Sequence, residues 1–586
     1  MEAGFWNYQY LLSALAVAIG IFRPAYLLRH RVPGQDELTK VIASSSLVLG
    51  GWICLFYLSS LIEVPSSHLI PVVLIGALVL VFKTGFDFPR LPAQVWWLCA
   101  LCLVPYMAGY ASTGILPGCD TAMHGYITRL VIEQQGVPET YRPLLPVERF
   151  GGYSAGFHLI AASAAFFQPQ WLMSGLSAAT VISHLVTVFG LAFLLSLFAP
   201  SRTALLVAMV IFWFHRSLQT VVDWGGTPTM LSLGLVFCAL AFFGYAIRER
   251  SPAFTIMGTT VWCAATLTHL IPAYVGVYVG MGLVAHWGWR YRPPLPFLLR
   301  SAGLAAATAL GCLAPFLLKM DDPRSPALSN RIWDWQHRMM DSAITGDLLG
   351  DAYRLLGELK FSLSDLTMIA VSACALWLLS RGRYRMLGLV SGLSILLFVL
   401  IVNAGYWYLP FSELIYPERV MYFFVVPCGI LMCHAAEDLA SLRAIKNPPV
   451  LPAIAAVALG VGCYNCFERY VDALAHPNRR YDADMMEVFD RIGEHTAPDA
   501  VIHVAYDTEG MWVPALSYRA AAGTHLHFIH EVLGVTDKMV EAPVDHYVLR
   551  STGDTSPVQH MDPRAEIAEI AFTNASMELI QTRRHE

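Results

Sequence analysis

Asp120 and His124 stand four residues apart in "GCDTAMHGYITRLVIEQQGVPETYRPLLP", a stretch from Gly118 to Pro146 that also holds Arg129, Glu133 and Arg142. If the stretch is helical, this spacing puts Asp120 and His124 on one face. Asp120 then lies near the helix N-terminus, where the backbone dipole keeps a carboxylate ionised. Such a carboxylate suits a general base taking a proton from a hydroxyl nucleophile. It suits equally an N-cap with a solvated histidine beside it.

Other residues could join that chemistry. Tyr153 and His158 lie in "YSAGFHLI", as substrate contacts or as satisfied packing groups. His269 stands between two apolar segments in "THLIP", placed to bond a phosphate or to cap a helix. Arg419 opens the apolar run "RVMYFFVVPCGIL". An arginine at a membrane edge needs an anionic partner, and its planar fork suits a phosphate; Glu418 is the competing partner. Asp321 and Asp322 follow Lys319 and are candidate ligands for a divalent cation, Mg2+ or Mn2+; a solvated loop start is the plainer reading. Trp512 and Arg519, in "GMWVPALSYRAAAGTH", are candidates for substrate binding, the Trp face for a sugar ring or for a domain core.

These groups need a scaffold, and the composition says which. Of 586 residues, 56% are hydrophobic and 14% charged. Soluble domains carry nearer a quarter charged residues. Apolar runs recur from residue 6 to residue 467, which makes this a polytopic α-helical membrane protein of about fourteen spans. Their expected ranges are 6–28, 41–62, 67–82, 95–110, 172–199, 203–217, 229–248, 253–268, 272–289, 299–319, 366–380, 386–403, 419–435 and 449–467. No small-residue cleavage site follows the first run, so no cleaved signal peptide is expected. The net charge of -5 gives no sign of nucleic acid. The twelve cysteines, including the Cys463/Cys466 pair, lack zinc-site spacing and read as small packing residues.

Short connections fix the orientation. Arg29, Arg31, Lys40, Lys83, Arg90, Arg202, Arg248, Arg250, Arg290, Arg292, Arg381, Arg383, Arg385, Arg443 and Lys446 all fall on one side when the crossings are counted. By the positive-inside rule that side is the cytoplasm, and both termini are outside. The segment 155–167 would break this count if it spanned, so it is expected to be an interfacial or re-entrant helix. The loops 111–153 and 320–365 then face outward, with every candidate above. The transmembrane domain is expected over 1–467 and a small extracytoplasmic α/β domain over 468–586, where charge rises and "PDAVIHVAY" reads as a buried strand.

With the outer loop "PGCDTAMHGYITRLVIEQQGVP", the "YSAGFH" segment, the arginine-led "YPERVMYFF" and the tail "DADMMEVFDRIGEHTAPDAVI", the chain resembles the GT-C superfamily of membrane glycosyltransferases. The resemblance implies a sugar donor linked to polyprenyl phosphate, and a glycan, lipid or protein acceptor outside the cytoplasm. It implies that Asp120 is the catalytic carboxylate, with His124 beside it, and that Arg419 and His269 lie near the lipid phosphate. The chain departs from the family in two ways: three helices precede the one leading into the loop, and the loop has no D-x-D or paired D-E. A transporter or flippase for a lipid-linked sugar, and a lipid-diphosphate-glycan ligase, are the alternatives.

Overall fold

The computed structural model describes residues 20–84 (except 22), 119–145, 153–165, 172–215, 225–320, 365–406, 417–441, 483–504, 512–522, 539–553 and 565–584, with 116, 150, 218 and 221 singly. The first long helix, α1 (Glu37–Leu61), begins at a capping box: the Asp36 carboxylate accepts from Thr39 N–H at 3.0 Å, and Thr39 Oγ1 accepts from Asp36 N–H at 3.1 Å. There follow α2 (Ser66–Thr84), α3 (Cys119–Glu133), α4 (Gly156–Ala165), α5 (Leu172–Leu195), α6 (Ser201–Phe214), α7 (Thr227–Glu249), α8 (Pro252–Thr268), α9 (Leu270–Tyr291), α10 (Leu295–Met320), α11 (Asp365–Ser380) and α12 (Tyr384–Tyr406). A last apolar helix runs as α13 (Pro417–Met421), a 3-10 turn (Tyr422–Phe424) and α14 (Val425–Ala440). Among the described residues, seven helices are long and apolar enough to cross a membrane: α1, α5, α7, α9, α10, α12 and the α13–α14 run. Of the expected spans, 95–110 and 449–467 and most of 6–28 lie outside the described residues.

Helix α7 is apolar on every side and is buried from Thr227 to Phe242. It packs against α5, α8 and α9. Close approach of α5 to α7 is possible because glycines face each other: a Cβ on Gly234 would come within 2.6 Å of Thr187 N. By contrast, α10 and α12 present Leu298, Leu310, Leu317, Ile395 and Val399 outward, the pattern of helices facing lipid.

The charged connections meet at one end of the bundle. Asp36 bonds Ser201, and Gln35 bonds the Ser196 carbonyl. Ser196 touches Tyr245 at 3.2 Å, and Thr203 donates to Glu437 at 2.9 Å. The buried Asp438 carboxylate is held by Arg381 at 2.9 Å and Arg383 at 2.8 Å, with Trp377 Nε1 at 3.2 Å. A buried carboxylate survives only when so paired. Phe198 lies against His286 and His434, bringing the Arg290 connection to the same end.

Helix α4 lies in the segment expected to be interfacial or re-entrant, and it is enclosed. Phe157, His158, Leu159, Ile160, Ala161 and Ala162 are all at most 1% exposed, so it is surrounded by protein and does not lie on a lipid surface. The cause is its small residues. Gly156 seats against the Leu267 carbonyl and Thr268 Oγ1, each 2.8 Å from where a Cβ would stand, and Gly175 of α5 lies against the Ala161 carbonyl.

The C-terminal part is an α/β unit. Helix α15 (Ala483–His495) precedes β1 (Val501–Val504), α16 (Val513–Leu516), β2 (Ala520–Ala522), β3 (His546–Ser551), β4 (Ala565–Thr573) and β5 (Met577–Arg584). The sheet order is β2-β1-β3-β5-β4. β1 is parallel to β2 and β3, and β5 is antiparallel to β3 and β4. All four residues of β1 are buried, as a central parallel strand requires.

Candidate active site

The first turn of α3 carries Asp120, which is half-buried. Its position is set by the "GGTP" turn ahead of α7. Gly225 has φ +88, a backbone region that disfavours any side chain. A Cβ there would lie 2.5 Å from Thr121 N and 3.2 Å from the Asp120 carbonyl carbon. The glycine therefore lets the turn touch the start of α3. On the other flank, a run of rings leads from Tyr141 to Phe150 (4.9 Å), Phe150 to Tyr153 (5.8 Å) and Tyr153 to His158 (5.7 Å). Tyr153 lies close enough to Asp120 to feel its charge: burial first, then Asp120 and Tyr57, push its phenol well above the usual range.

His124, one turn along α3, meets His158 of α4. Their ring nitrogens, His124 Nδ1 and His158 Nε2, are 3.1 Å apart, so one donates and the other accepts. The position of α4 is fixed from α1 and α8. Ala155 N–H donates to the Tyr57 hydroxyl at 2.5 Å, which itself donates to the Leu267 carbonyl at 3.4 Å. Ser154 Oγ donates to the Thr266 carbonyl at 2.9 Å. His269 sits where α8 ends and α9 begins. Its N–H donates to the Ala265 carbonyl at 2.9 Å, and its own carbonyl accepts from Ser232 of α7 at 2.9 Å.

Arg419 closes this group from α13, with Nη1 3.1 Å from the Tyr422 hydroxyl. Its charge reaches two of the histidines. Burial, then Arg419, push the His124 imidazole down to about 3. Burial, then Arg419 and His124, do the same to His269, again to about 3. Burial first, then His124 and His269, hold His158 well below the usual range. The three rings are thus neutral at physiological pH. Asp120, His124, Tyr153, His158, His269 and Arg419 converge at the end of the bundle opposite the arginine-rich connections. A carboxylate, a guanidinium and neutral imidazoles together can deprotonate a hydroxyl on one side and receive a growing negative charge on the other.

The tail residues are placed differently. Trp512 is 2% exposed, and its ring rests on Gly125 of α3, with Cζ3 2.8 Å and Ala515 Cβ 3.0 Å from where a Gly125 Cβ would stand. It fastens the tail to α3 and presents no open face to a sugar. Arg519 is also removed from the substrate set. Its Nε donates to Thr496 Oγ1 at 2.9 Å, Nη1 to the Ser517 and Tyr518 carbonyls, and Nη2 to the Gly493 and Thr496 carbonyls. All five donors are spent on holding the end of α15 to the segment before β2. Asp321 and Asp322 lie outside the described residues, among which no cluster of three or more His, Cys, Asp or Glu could hold a metal ion.

Sequence reasoning missed three contributors. Tyr57 reads as one more apolar-helix residue, although a hydroxyl near the end of a span is a signal for a hydrogen-bonded anchor. Gly225 is one of two adjacent glycines, and the sequence does not say which of them takes the positive φ. Arg129 pairs with Glu133 at 2.6 Å and lies over the Tyr518 ring at 5.1 Å, a second tie between α3 and the tail.

No family model and no curated protein sequence matches the chain. Among solved structures it is similar to ArnT from Cupriavidus metallidurans bound to undecaprenyl phosphate, with a TM-score of 0.54 at 13% identity over 83% of this chain and 98% of that one. It is similar also to ArnT from the same organism in the apo state, with a TM-score of 0.53 at 13% identity over 84% of this chain and 98% of that one. At that identity the likeness is one of fold: the chain shares the polytopic helical architecture of those structures, with a small sheet domain at its C-terminal end.

Proposed function

We propose that this chain, built on the GT-C fold, is a membrane glycosyltransferase that moves a sugar from polyprenyl phosphate to an acceptor hydroxyl on an extracytoplasmic glycan, lipid or protein. The observation that carries the reading is the meeting of Asp120 and His124 on α3 with His158, His269 and Arg419 from three further chain segments. The fold likeness to a protein bound to undecaprenyl phosphate supports it.

Asp120 takes the proton of the acceptor hydroxyl. The freed oxygen attacks the anomeric carbon, and the bond from that carbon to the phosphate oxygen breaks. The bonding pair leaves with the phosphate, beside Arg419 and His269. A fixed guanidinium aimed at developing charge stabilises it without reorganising at the moment of reaction. One displacement inverts the anomeric centre. The arginine-rich connections define the cytoplasmic side, so the reaction faces outward, and the prenyl tail lies among lipid-facing helices.

The test is transfer from labelled polyprenyl-phosphate sugars to cell-envelope acceptor by the purified chain in liposomes, scored by release of free polyprenyl phosphate. Asp120→Asn is expected to lower turnover by about 10²–10⁴-fold with unchanged melting. Full turnover in that variant removes Asp120 from the role. Movement of the intact donor across the membrane without release of the phosphate supports a flippase instead. Running the assay in EDTA tests a divalent cation at Asp321 and Asp322; undiminished turnover retires it.

A further inference from the structure

We propose that His158 and His269 offer their Nδ1 atoms to the phosphoryl oxygens of a prenyl monophosphate, and that the histidine cluster takes up a proton when this doubly charged group binds. The inference rests on the glycosyl-transfer reading and deepens it.

The motivating observation is a pair of unsatisfied atoms. His158 is 0% exposed, and one of its nitrogens is engaged with His124. Its other nitrogen, Nδ1, has no hydrogen-bond partner among the described residues. Nor has Nδ1 of His269. A buried polar atom without a partner asks for an explanation; several occur among the described residues, and these two lie on histidines of the cluster around Asp120 and Arg419. Both lie in the cluster that Arg419 acts on, so the missing partner is an acceptor and an anion rather than a cation. A tetrahedral phosphate has oxygens enough to meet two imidazole N–H groups and a guanidinium at once.

Charge balance gives the second half. The donor is a phosphodiester with one negative charge. When its bond to the sugar breaks, the phosphate becomes a monoester with two, while the acceptor hydroxyl gives up one proton. That proton goes first to Asp120; handed on to the imidazoles, it frees the carboxylate and leaves the site's net charge unchanged. Without ligand the rings are neutral, because burial and Arg419 disfavour the imidazolium. A dianion in contact reverses that electrostatic balance and raises their pKa. Apparent affinity therefore strengthens as pH falls through the raised, ligand-bound pKa, and the gain ends below the ligand-free value. Among the described residues, the other titratable or charged groups around the rings are Asp120 on α3, Tyr57 on α1, Tyr153 ahead of α4 and Arg419 on α13. His184 of α5, which packs on α4, has its Nδ1 at the Thr180 carbonyl.

Farnesyl phosphate titrated into the purified full chain by calorimetry tests this, in buffers of different ionisation enthalpy at pH 7.5. A phosphate monoester with second pKa about 6 is already dianionic there, so uptake reports the protein. Net proton uptake is expected. His158→Gln keeps a group at the Nε2 position and loses the one at Nδ1; it is expected to weaken binding about 10- to 100-fold and to reduce the uptake. His158→Asn restores an N–H near Nδ1 and is expected to recover much of the affinity. His269→Gln, at a half-buried connection, gives the same reading should the buried variant fail to fold. Wild-type affinity in both Gln variants, or zero uptake by the parent chain, overturns the proposal. Equal affinity for inorganic phosphate overturns its assignment to a lipid phosphate. Proton-coupled binding without sugar transfer supports it while removing the transferase reading.

Discussion

Two arginines show how little a residue type decides alone. Arg419 and Arg519 both lie beside apolar sequence, and both were candidates for substrate contact. Arg519 has five donors and five carbonyl or hydroxyl acceptors within 2.8–3.3 Å, all from its own domain. Arg419 donates to Tyr422 and projects its field onto two histidines. Their substitutions should therefore separate cleanly. Arg519→Ala leaves buried carbonyls unsatisfied and is expected to cost about 3 kcal/mol of stability, read as a lowered melting temperature. Arg419→Gln is expected to leave melting unchanged and to lower turnover about 10²–10³-fold, the usual effect of removing one oxyanion-stabilising donor. The reverse pattern, a destabilised Arg419 variant with normal turnover, refutes the assignment.

At the scale of the element, the chemistry depends on where α3 begins. Packing against α4, α5 and α16 holds α3, and the turn at Gly225 sets its height. Gly225→Ala asks an L-residue to adopt φ +88 and puts a methyl 2.5 Å from Thr121 N, so turn and helix must part. A displacement of about 1 Å at a catalytic group costs on the order of 100-fold in rate. That drop in kcat is expected with helical circular dichroism unchanged; wild-type kcat would show that α3 is positioned by something else. The fate of α4 teaches the same point. Its ten residues have the length of a surface helix, yet alanine and glycine let five neighbouring helices close over it. Length and apolarity are local, whereas burial depends on what packs from elsewhere.

For the whole molecule, the question is sidedness. The ion pairs of Asp438 with Arg381 and Arg383 mark one end, and the histidine cluster marks the other. Cysteines introduced at Arg292 and at the exposed Gln135 should react with a membrane-impermeant maleimide from opposite faces, read against the parent chain's background: Arg292→Cys from the cytoplasm, Gln135→Cys from outside. Labelling of both from one face removes the outward-facing site. The tail belongs to this scale too. Trp512 on Gly125 and Tyr518 under Arg129 make it a brace on the helix that carries Asp120.

The sequence by itself determined the class of the molecule and which connections share an end. Span length, short basic connections and the placement of Asp120, His124, His269 and Arg419 at matching ends are one-dimensional facts, because a membrane forces each crossing to alternate sides. It also marked β1 as a buried strand. Only the tertiary structure decided that His124 bonds His158, that Gly225 meets Thr121, that Trp512 seats the tail on α3, and that Arg519 is spent within the tail. Those contacts join residues from about 20 to several hundred positions apart, and burial and partner choice across such gaps leave no periodic trace in the chain.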